Sequence, residues 1–246
     1  MNLILEELSN QFSIELVYHS SNVKGVPISD MTNTEKVQLI VQNRTNCFQA
    51  TDYRVGGANV MKWFGSLISA HLYTYFVHNR WLKAERVHFI ENGKEAYFQI
   101  LQPELASIDN QADDHDLILS HFFADLKPVF ERVAESSGLS IQHIWGLVAN
   151  AYYNRLEAWV ALNERSVLEK HDSLKHLTPE VFNLKRNPFL LTFRYVESWK
   201  DPASQIKIKG TCCLSYLKGE GTYCYSCPKL TKEQRKNKGE QLRSCQ

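Results

Sequence analysis

Apolar residues recur at helical spacing in the stretch that follows Ser140. They stand three or four positions apart, which places them on one face of an α-helix, and they are Ile141, Trp145, Val148, Tyr152, Leu156 and Trp159. The pattern predicts an amphipathic helix over positions 140–159. Because a stripe at helical spacing is what buries a helix, we expect its aromatic members to pack in the core rather than to bind a ligand.

A second helical pattern lies upstream of this one. The apolar residues between Asp116 and Leu126 also have helical spacing, at Leu119, Phe122, Phe123 and Leu126. Proline suits the first turn of a helix, where its missing N–H is not needed. Pro128 therefore predicts the start of a separate helix, which ends before Gly138.

Two apolar-rich runs, 86–91 and 95–101, flank the dipeptide Asn92-Gly93. This dipeptide tolerates positive φ and predicts a β-hairpin. Residues 12–18 are a further strand candidate, and 188–196 fits either a strand or a buried connector. The sequence thus predicts an α+β fold: a predominantly helical single body with a small β-hairpin or sheet element and a cysteine-rich C-terminal segment.

Composition favours an ordinary folded protein. The chain has 246 residues, of which 43% are hydrophobic and 22% charged, far from the signature of disorder. The longest charge-free stretch, between Lys62 and Arg80, contains too many polar residues to span a bilayer. The N-terminus lacks the basic and apolar regions of an export signal. We therefore expect a cytoplasmic protein with no stable membrane insertion.

Charge is distributed unevenly along the chain. Residues 200–246 carry ten Lys or Arg against four Asp or Glu, a net +6, and since the whole chain is +1 the first 199 residues carry −5. A basic tail on an acidic body indicates a nucleic-acid arm, an acidic partner, or compensation for an anionic group bound in the tail.

Four of the six cysteines fall within sixteen residues, in the pattern C-C-x10-C-x2-C: Cys212, Cys213, Cys224 and Cys227. In a reducing compartment such a cluster indicates a metal site rather than disulfides. Four thiolates suit either a tetrahedral zinc or a [2Fe-2S] cluster. The adjacent pair favours two metal positions, because neighbouring side chains diverge in an extended chain. Cys47 and Cys245 stand apart from the motif.

This run resembles the C-terminal signature of ferric-siderophore reductases of the FhuF type. The resemblance covers the Cys212-Cys213 pair, Leu214 and Tyr216, the ten-residue spacer, and Tyr223-Cys224 through Cys227-Pro228. It implies that Cys212, Cys213, Cys224 and Cys227 ligate a [2Fe-2S] cluster, which reduces Fe(III) in a hydroxamate siderophore by one electron in the cytoplasm. The family often has Arg shortly before the cysteine pair, whereas this chain has Lys209.

On this interpretation the chain consists of a mainly helical siderophore-docking body, residues 1–199, and a [2Fe-2S]-binding segment with a basic tail, residues 200–246. The Gly56-Gly57 pair belongs to no phosphate-binding or dinucleotide motif. An external electron donor, a ferredoxin or a flavin reductase, is therefore expected. No further catalytic residue is assigned, because the expected chemistry is electron transfer.

Downstream of the cysteines, Thr231 and Gln234 match a capping box, which predicts a short helix ending at Gly239. The positive end of its dipole would then favour an anionic centre near Cys227.

Two other functions remain open from the sequence. One is an iron-sulfur electron carrier or a redox or iron sensor without a siderophore substrate. The other is a zinc-binding module whose basic tail contacts nucleic acid. The absence of aromatic residues after Tyr225 weakens the second, because stacking on bases uses aromatic side chains. We therefore expect no nucleic-acid partner.

Overall fold

The computed structural model describes residues 3–18, 23–108 and 115–244. It confirms a mostly helical α+β body with small sheets. In chain order, its helices are α1 (Leu3–Phe12), α2 (Thr34–Cys47), α3 (Tyr53–His78), α4 (His115–Ser137), α5 (Ile141–Tyr153), α6 (Leu156–Leu162), α7 (Glu164–His176) and α8 (Lys232–Ser244).

Helix α3 is the centre of the body. It is 26 residues long, most of its side chains are buried, and α2, α4 and α5 pack against it. Two glycines allow this close approach. A Cβ on Gly56 would overlap the carbonyl oxygen of Val41 in α2, and a Cβ on Gly57 would overlap Ser137 in α4. The glycine pair therefore serves helix packing.

Around Pro128 the prediction of two separate helices is wrong. Helix α4 runs through the proline without a break. An internal proline costs about 3 kcal/mol. The apolar face continues across it, with Phe123 and Phe130 fully buried, and each such side chain contributes roughly 1.5–3 kcal/mol. The C-terminal end is as predicted, since α4 stops at Ser137 and Gly138 adopts a φ of 73°.

The predicted helix over positions 140–159 is divided in two. Helix α5 ends at Tyr153 and α6 begins at Leu156. Between them, the backbone N–H of Arg155 bonds to a carbonyl only three residues back, at 3.0 Å. This tight turn changes the direction of the chain.

The aromatic stripe of these two helices lies in the core, as predicted. Trp145, Tyr152 and Trp159 are each at most 2% exposed. The ring of Trp159 lies 6.4 Å from that of Phe12 and 5.8 Å from that of Tyr73. The turn before α6 thus gives Trp159 its place in the core.

The strands, in chain order, are β1 (Ile14–Val17), β2 (Val26–Pro27), β3 (Arg80–Lys83), β4 (Arg86–Asn92), β5 (Glu95–Leu101), β6 (Glu104–Ser107), β7 (Tyr195–Glu197) and β8 (Gln205–Lys207). The first sheet has the order β1-β5-β4-β2, with β1 parallel to β5 and the other pairs antiparallel. The predicted hairpin is confirmed as β4 and β5, with Gly93 at a φ of 55°. Strands β3 and β6 pair, as do β7 and β8.

Two sequence segments that were strand candidates are strand only in part. Of residues 12–18, β1 occupies the middle, while Phe12 ends α1. Of residues 188–196, only the end belongs to β7, and the rest is an irregular connector.

Helix α8 begins with the predicted capping box. The backbone N–H of Thr231 donates to Oε1 of Gln234 (3.0 Å), and the N–H of Gln234 donates to Oγ1 of Thr231 (3.2 Å). The predicted stop at Gly239 is wrong, because the helix continues to Ser244. Gly239 instead lies against the ring of Tyr225, 3.2 Å from where its Cβ would be, and so serves packing.

Among the described residues, no helix combines the length and the apolar character needed to cross a membrane.

Candidate metal centre

The four motif cysteines lie in an irregular stretch between β8 and α8, residues 208–231, which we call the cysteine segment. The two arms of the motif are joined by the backbone N–H of Lys209, which donates to the carbonyl of Ser226 at 3.0 Å. A turn joins Cys224 and Cys227, whose backbone N–H donates to the Cys224 carbonyl at 3.0 Å. The fold thus brings together the four cysteines that the sequence motif singled out.

Cys212 and Cys227 form the inner pair. Their sulfurs are 3.5 Å apart, and the two residues are 5% and 1% exposed. Each comes from a different arm of the motif, so the pair exists only once the two arms have met.

Cys213 and Cys224 form the outer pair, and both are half-buried. The ammonium of Lys209 lies 3.7 Å from the sulfur of Cys213 and 3.5 Å from that of Cys224. The hydroxyl of Ser215 is 3.2 Å from the Cys213 sulfur. The outer pair is therefore bridged by a cation that the inner pair does not contact.

The two pairs differ in their proton affinity. The hydrogen bond with Cys224, helped by Ser215 and by the positive charge of Lys209, lowers the pKa of Cys213 to about 4. The same hydrogen bond raises the pKa of Cys224, since the two sulfurs share one proton. Burial raises the pKa of Cys212 to about 11. The outer pair thus holds a thiolate at neutral pH, which is the metal-binding form.

Lys209 stays charged beside this thiolate. Burial acts to lower its pKa, but the negative charges of Cys213 and Cys224 more than offset this, and the pKa is raised. The ammonium is therefore a fixed positive charge next to the outer pair.

In the arrangement found within residues 3–18, 23–108 and 115–244, no group of three or more His, Cys, Asp or Glu side chains could hold a metal ion.

Helix α5 holds the first arm of the motif. The side-chain amide of Asn150 donates to the carbonyl of Thr211 at 2.7 Å and accepts from the N–H of Gly210 at 3.0 Å. Nε2 of His143 lies 2.8 Å from the carbonyl of Cys212, and since a carbonyl only accepts, this nitrogen carries the proton. A Cβ on Gly146 would overlap the side chain of Thr211, so the segment needs a glycine at this contact.

Helix α8 holds the second arm through Arg235, which is 7% exposed. Its guanidinium donates to the carbonyls of Tyr225, of Cys227 (2.9 Å) and of Leu230 (3.3 Å). Carbonyls in irregular chain have no helix or strand partner, so this arginine supplies the donors that they need.

The two remaining cysteines are apart from this site or outside the described residues. Cys47 ends α2 and is half-buried. Cys245 lies outside the described residues.

Several residues around the site were not identified from the sequence. His143, Asn150 and Arg235 belong to no local motif, and their contacts with the cysteine segment arise from tertiary packing. Lys209 stood out only as a departure from the family pattern. The one usable signal was its proximity in sequence to Cys212 and Cys213.

Compared with known proteins, the chain matches no family model and no curated sequence.

Proposed function

We propose that this chain is a cytoplasmic ferric-siderophore reductase that carries a [2Fe-2S] cluster on Cys212, Cys213, Cys224 and Cys227. It would reduce Fe(III) held by a hydroxamate siderophore and release Fe(II). The observation that carries the proposal is the proximity of these four cysteines, in two pairs, beside a lysine ammonium.

The donor set fits such a cluster. Each iron of a [2Fe-2S] centre takes two cysteine thiolates, so in this proposal the inner pair would hold one iron and the outer pair would hold the other. Four thiolates also suit a structural zinc, and the adjacent Cys212-Cys213 pair is what favours a centre with two metal positions. When bound, the cluster supplies one-electron transfer.

The surrounding residues would tune this site. Lys209 donates toward both outer sulfurs, and hydrogen bonds to sulfur and nearby charge are the means by which a protein sets a cluster potential. Its positive charge favours the state with one more electron. Arg235 and Asn150 keep the two arms in place through their bonds to backbone carbonyls.

The substrate would be the chelated iron. Hard oxygen ligands such as hydroxamates hold Fe(III) strongly. One electron converts it to Fe(II), which they hold weakly, so reduction is itself the release step. The electron would come from an external donor, a ferredoxin or a flavin reductase.

Anaerobic purification tests the cofactor directly. We expect two irons and two acid-labile sulfides per chain, with the visible and EPR spectra of a [2Fe-2S] centre. Single Cys→Ser replacement at each motif position should bleach or destabilise it, whereas Cys47→Ala, the matched control in α2, should leave the spectrum unchanged. One equivalent of zinc without iron would contradict the proposal.

Stopped-flow mixing tests the reaction. The chemically reduced protein should be reoxidised by a ferric hydroxamate, and a ferrous chelator should drive the conversion further. NADH or NADPH alone should not sustain turnover. If the reduced protein stays reduced with several ferric hydroxamates and a ferrous trap, an electron carrier or sensor replaces the reductase.

A further inference from the structure

A cavity of about 180 Å³ lies beside the outer cysteine pair, between α3, α5 and the cysteine segment. Cys213 forms part of its wall, together with Asn59 of α3 and Asn150 of α5. A group bound here would therefore lie next to the more accessible pair of sulfurs.

The cavity is positively charged. Lys62, Lys209 and Lys218 line it, and no aspartate or glutamate is among its described lining residues. In the described part of the chain, neither Lys62 nor Lys218 forms an ion pair with a carboxylate. Among the described lining residues the Cys213 thiolate is the one anion, and its charge acts on Lys209 and also on Lys218. Three lysines against one thiolate leave the cavity with a net positive charge.

Aromatic rings position Lys62 and Lys218 without neutralising them. The ammonium of Lys62 lies 4.3 Å from the ring centre of Trp63, and that of Lys218 lies 3.8 Å from the ring centre of Phe48. Such contacts favour a fixed location for the ammonium. Both groups still retain donors for an anion, because a lysine has three N–H bonds and no acceptor.

Asn59 adds a further donor. Its Oδ1 accepts from Nε of Arg44 at 2.8 Å, and among the described residues its NH2 group has no hydrogen-bond acceptor, so both N–H donors remain for a ligand. The wall of the cavity thus offers mainly hydrogen-bond donors and positive charge, and a carboxylate is the complementary ligand.

The size of the cavity limits what can enter. Sites that enclose a whole drug-sized ligand measure about 300–1,000 Å³, so 180 Å³ admits one substituent of a chelate rather than the chelate itself. The remainder of the ligand would stay outside, near Cys213.

We propose that this cavity binds a free carboxylate of the ferric chelate, so that the protein selects hydroxamate siderophores that carry a carboxylate over uncharged ones. This specificity rests on the proposed reductase function. The cationic side chains that provide it are Lys62 and Lys218, neither of which is a proposed cluster ligand.

Binding is measured with gallium(III) chelates, because Ga(III) has the charge and approximate size of Fe(III) but cannot be reduced by the protein. Isothermal titration would compare the Ga(III) complexes of one linear trihydroxamate whose terminal amine is either succinylated, which leaves a carboxylate free of the metal, or acetylated, which leaves the complex uncharged. We expect the wild-type protein to bind the carboxylate complex more tightly. Lys62→Gln and Lys218→Gln should each raise its Kd about threefold to fivefold, and the uncharged complex should bind unchanged.

Lys83→Gln is the matched control, since Lys83 is an exposed lysine of β3 outside this cavity. Lys62→Arg should keep most of the affinity, which separates loss of charge from loss of folding. Circular dichroism verifies that each variant is folded. Added salt should weaken the carboxylate complex more than the uncharged one.

Equal affinity for the two complexes, no binding of either, or an unchanged Kd in both lysine-to-glutamine variants would overturn the specificity. Failure of the carboxylate site and failure of the reductase function give different results. Lysine-dependent binding without reoxidation of reduced protein would retain this site and reject the reductase. Reoxidation with equal rates for both iron chelates would do the reverse.

Discussion

The helical body around α3 and the cysteine segment bury their residues by different means. In the body, Trp145 is fully buried and contacts the rings of Phe123, Phe130 and Phe182 at centroid distances of 4.5–5.8 Å. Regular helices satisfy the backbone there, and aromatic and aliphatic side chains fill the core between them.

In the cysteine segment the backbone is mostly irregular, and side chains satisfy it. Arg235 and Asn150 bond to carbonyls, and Lys209 bridges sulfurs. Apolar burial is limited here to a few residues, among them Cys212, Leu214 and Cys227. The contrast teaches that apolar packing dominates the contacts of the body, whereas the cysteine segment depends on a small number of polar contacts. Three substitutions test this contrast.

The largest effect is expected in the body. Trp145→Ala should lower the free energy of unfolding by about 3–5 kcal/mol, because it removes a large buried side chain and leaves a cavity among aromatic rings. Urea denaturation followed by circular dichroism measures it. Leu190→Ala, at a residue that is 66% exposed, should change the value by less than about 0.5 kcal/mol. A loss below about 1 kcal/mol for Trp145→Ala would mean that the aromatic core does not dominate stability.

A smaller and local effect is expected for Arg235→Met. It leaves the carbonyls of Tyr225, Cys227 and Leu230 without this donor, and a buried unpaired group costs roughly 1–3 kcal/mol. Thermolysin should cleave the cysteine segment about tenfold faster, while the urea midpoint of the body stays unchanged. Lys236→Met, at an exposed neighbour on α8, is the control. If the body unfolds together with the segment, the two regions are one cooperative unit.

The smallest effect is expected at the start of α8. Thr231→Ala removes the hydroxyl that accepts from the Gln234 N–H, which should destabilise the helix by about 1 kcal/mol. Hydrogen exchange measures this as faster exchange of the Gln234 amide. Thr231→Ser keeps the hydroxyl and should preserve protection. Equal exchange in the alanine and serine variants would mean that packing of Arg235, not the cap, holds the helix.

Local sequence determined the features that depend on nearby residues. Asn92-Gly93 predicted the hairpin because its turn conformation depends on those two residues. Thr231 and Gln234 predicted the start of α8 for the same reason. The four cysteines were identified from their spacing alone, and the resulting ligand set remains a prediction.

Tertiary structure decided what depends on distant partners. Pro128 lies inside α4 because apolar residues on both sides of it face one core. The preference of proline for the first turn of a helix takes no account of such packing. Gly239 does not end α8, since its lack of a side chain serves contact with Tyr225. The break before α6 also follows from packing, because it brings Trp159 to Phe12 of α1.

The same division applies to the candidate site. The sequence determined that the four motif cysteines lie in one part of the molecule, because the motif is short. It did not determine that Cys212 lies beside Cys227 and Cys213 beside Cys224, or that Lys62 of α3 and Lys218 of the cysteine segment face one cavity. Those relations join residues that are distant along the chain, and only the folding of the segment onto α3 and α5 brings them together.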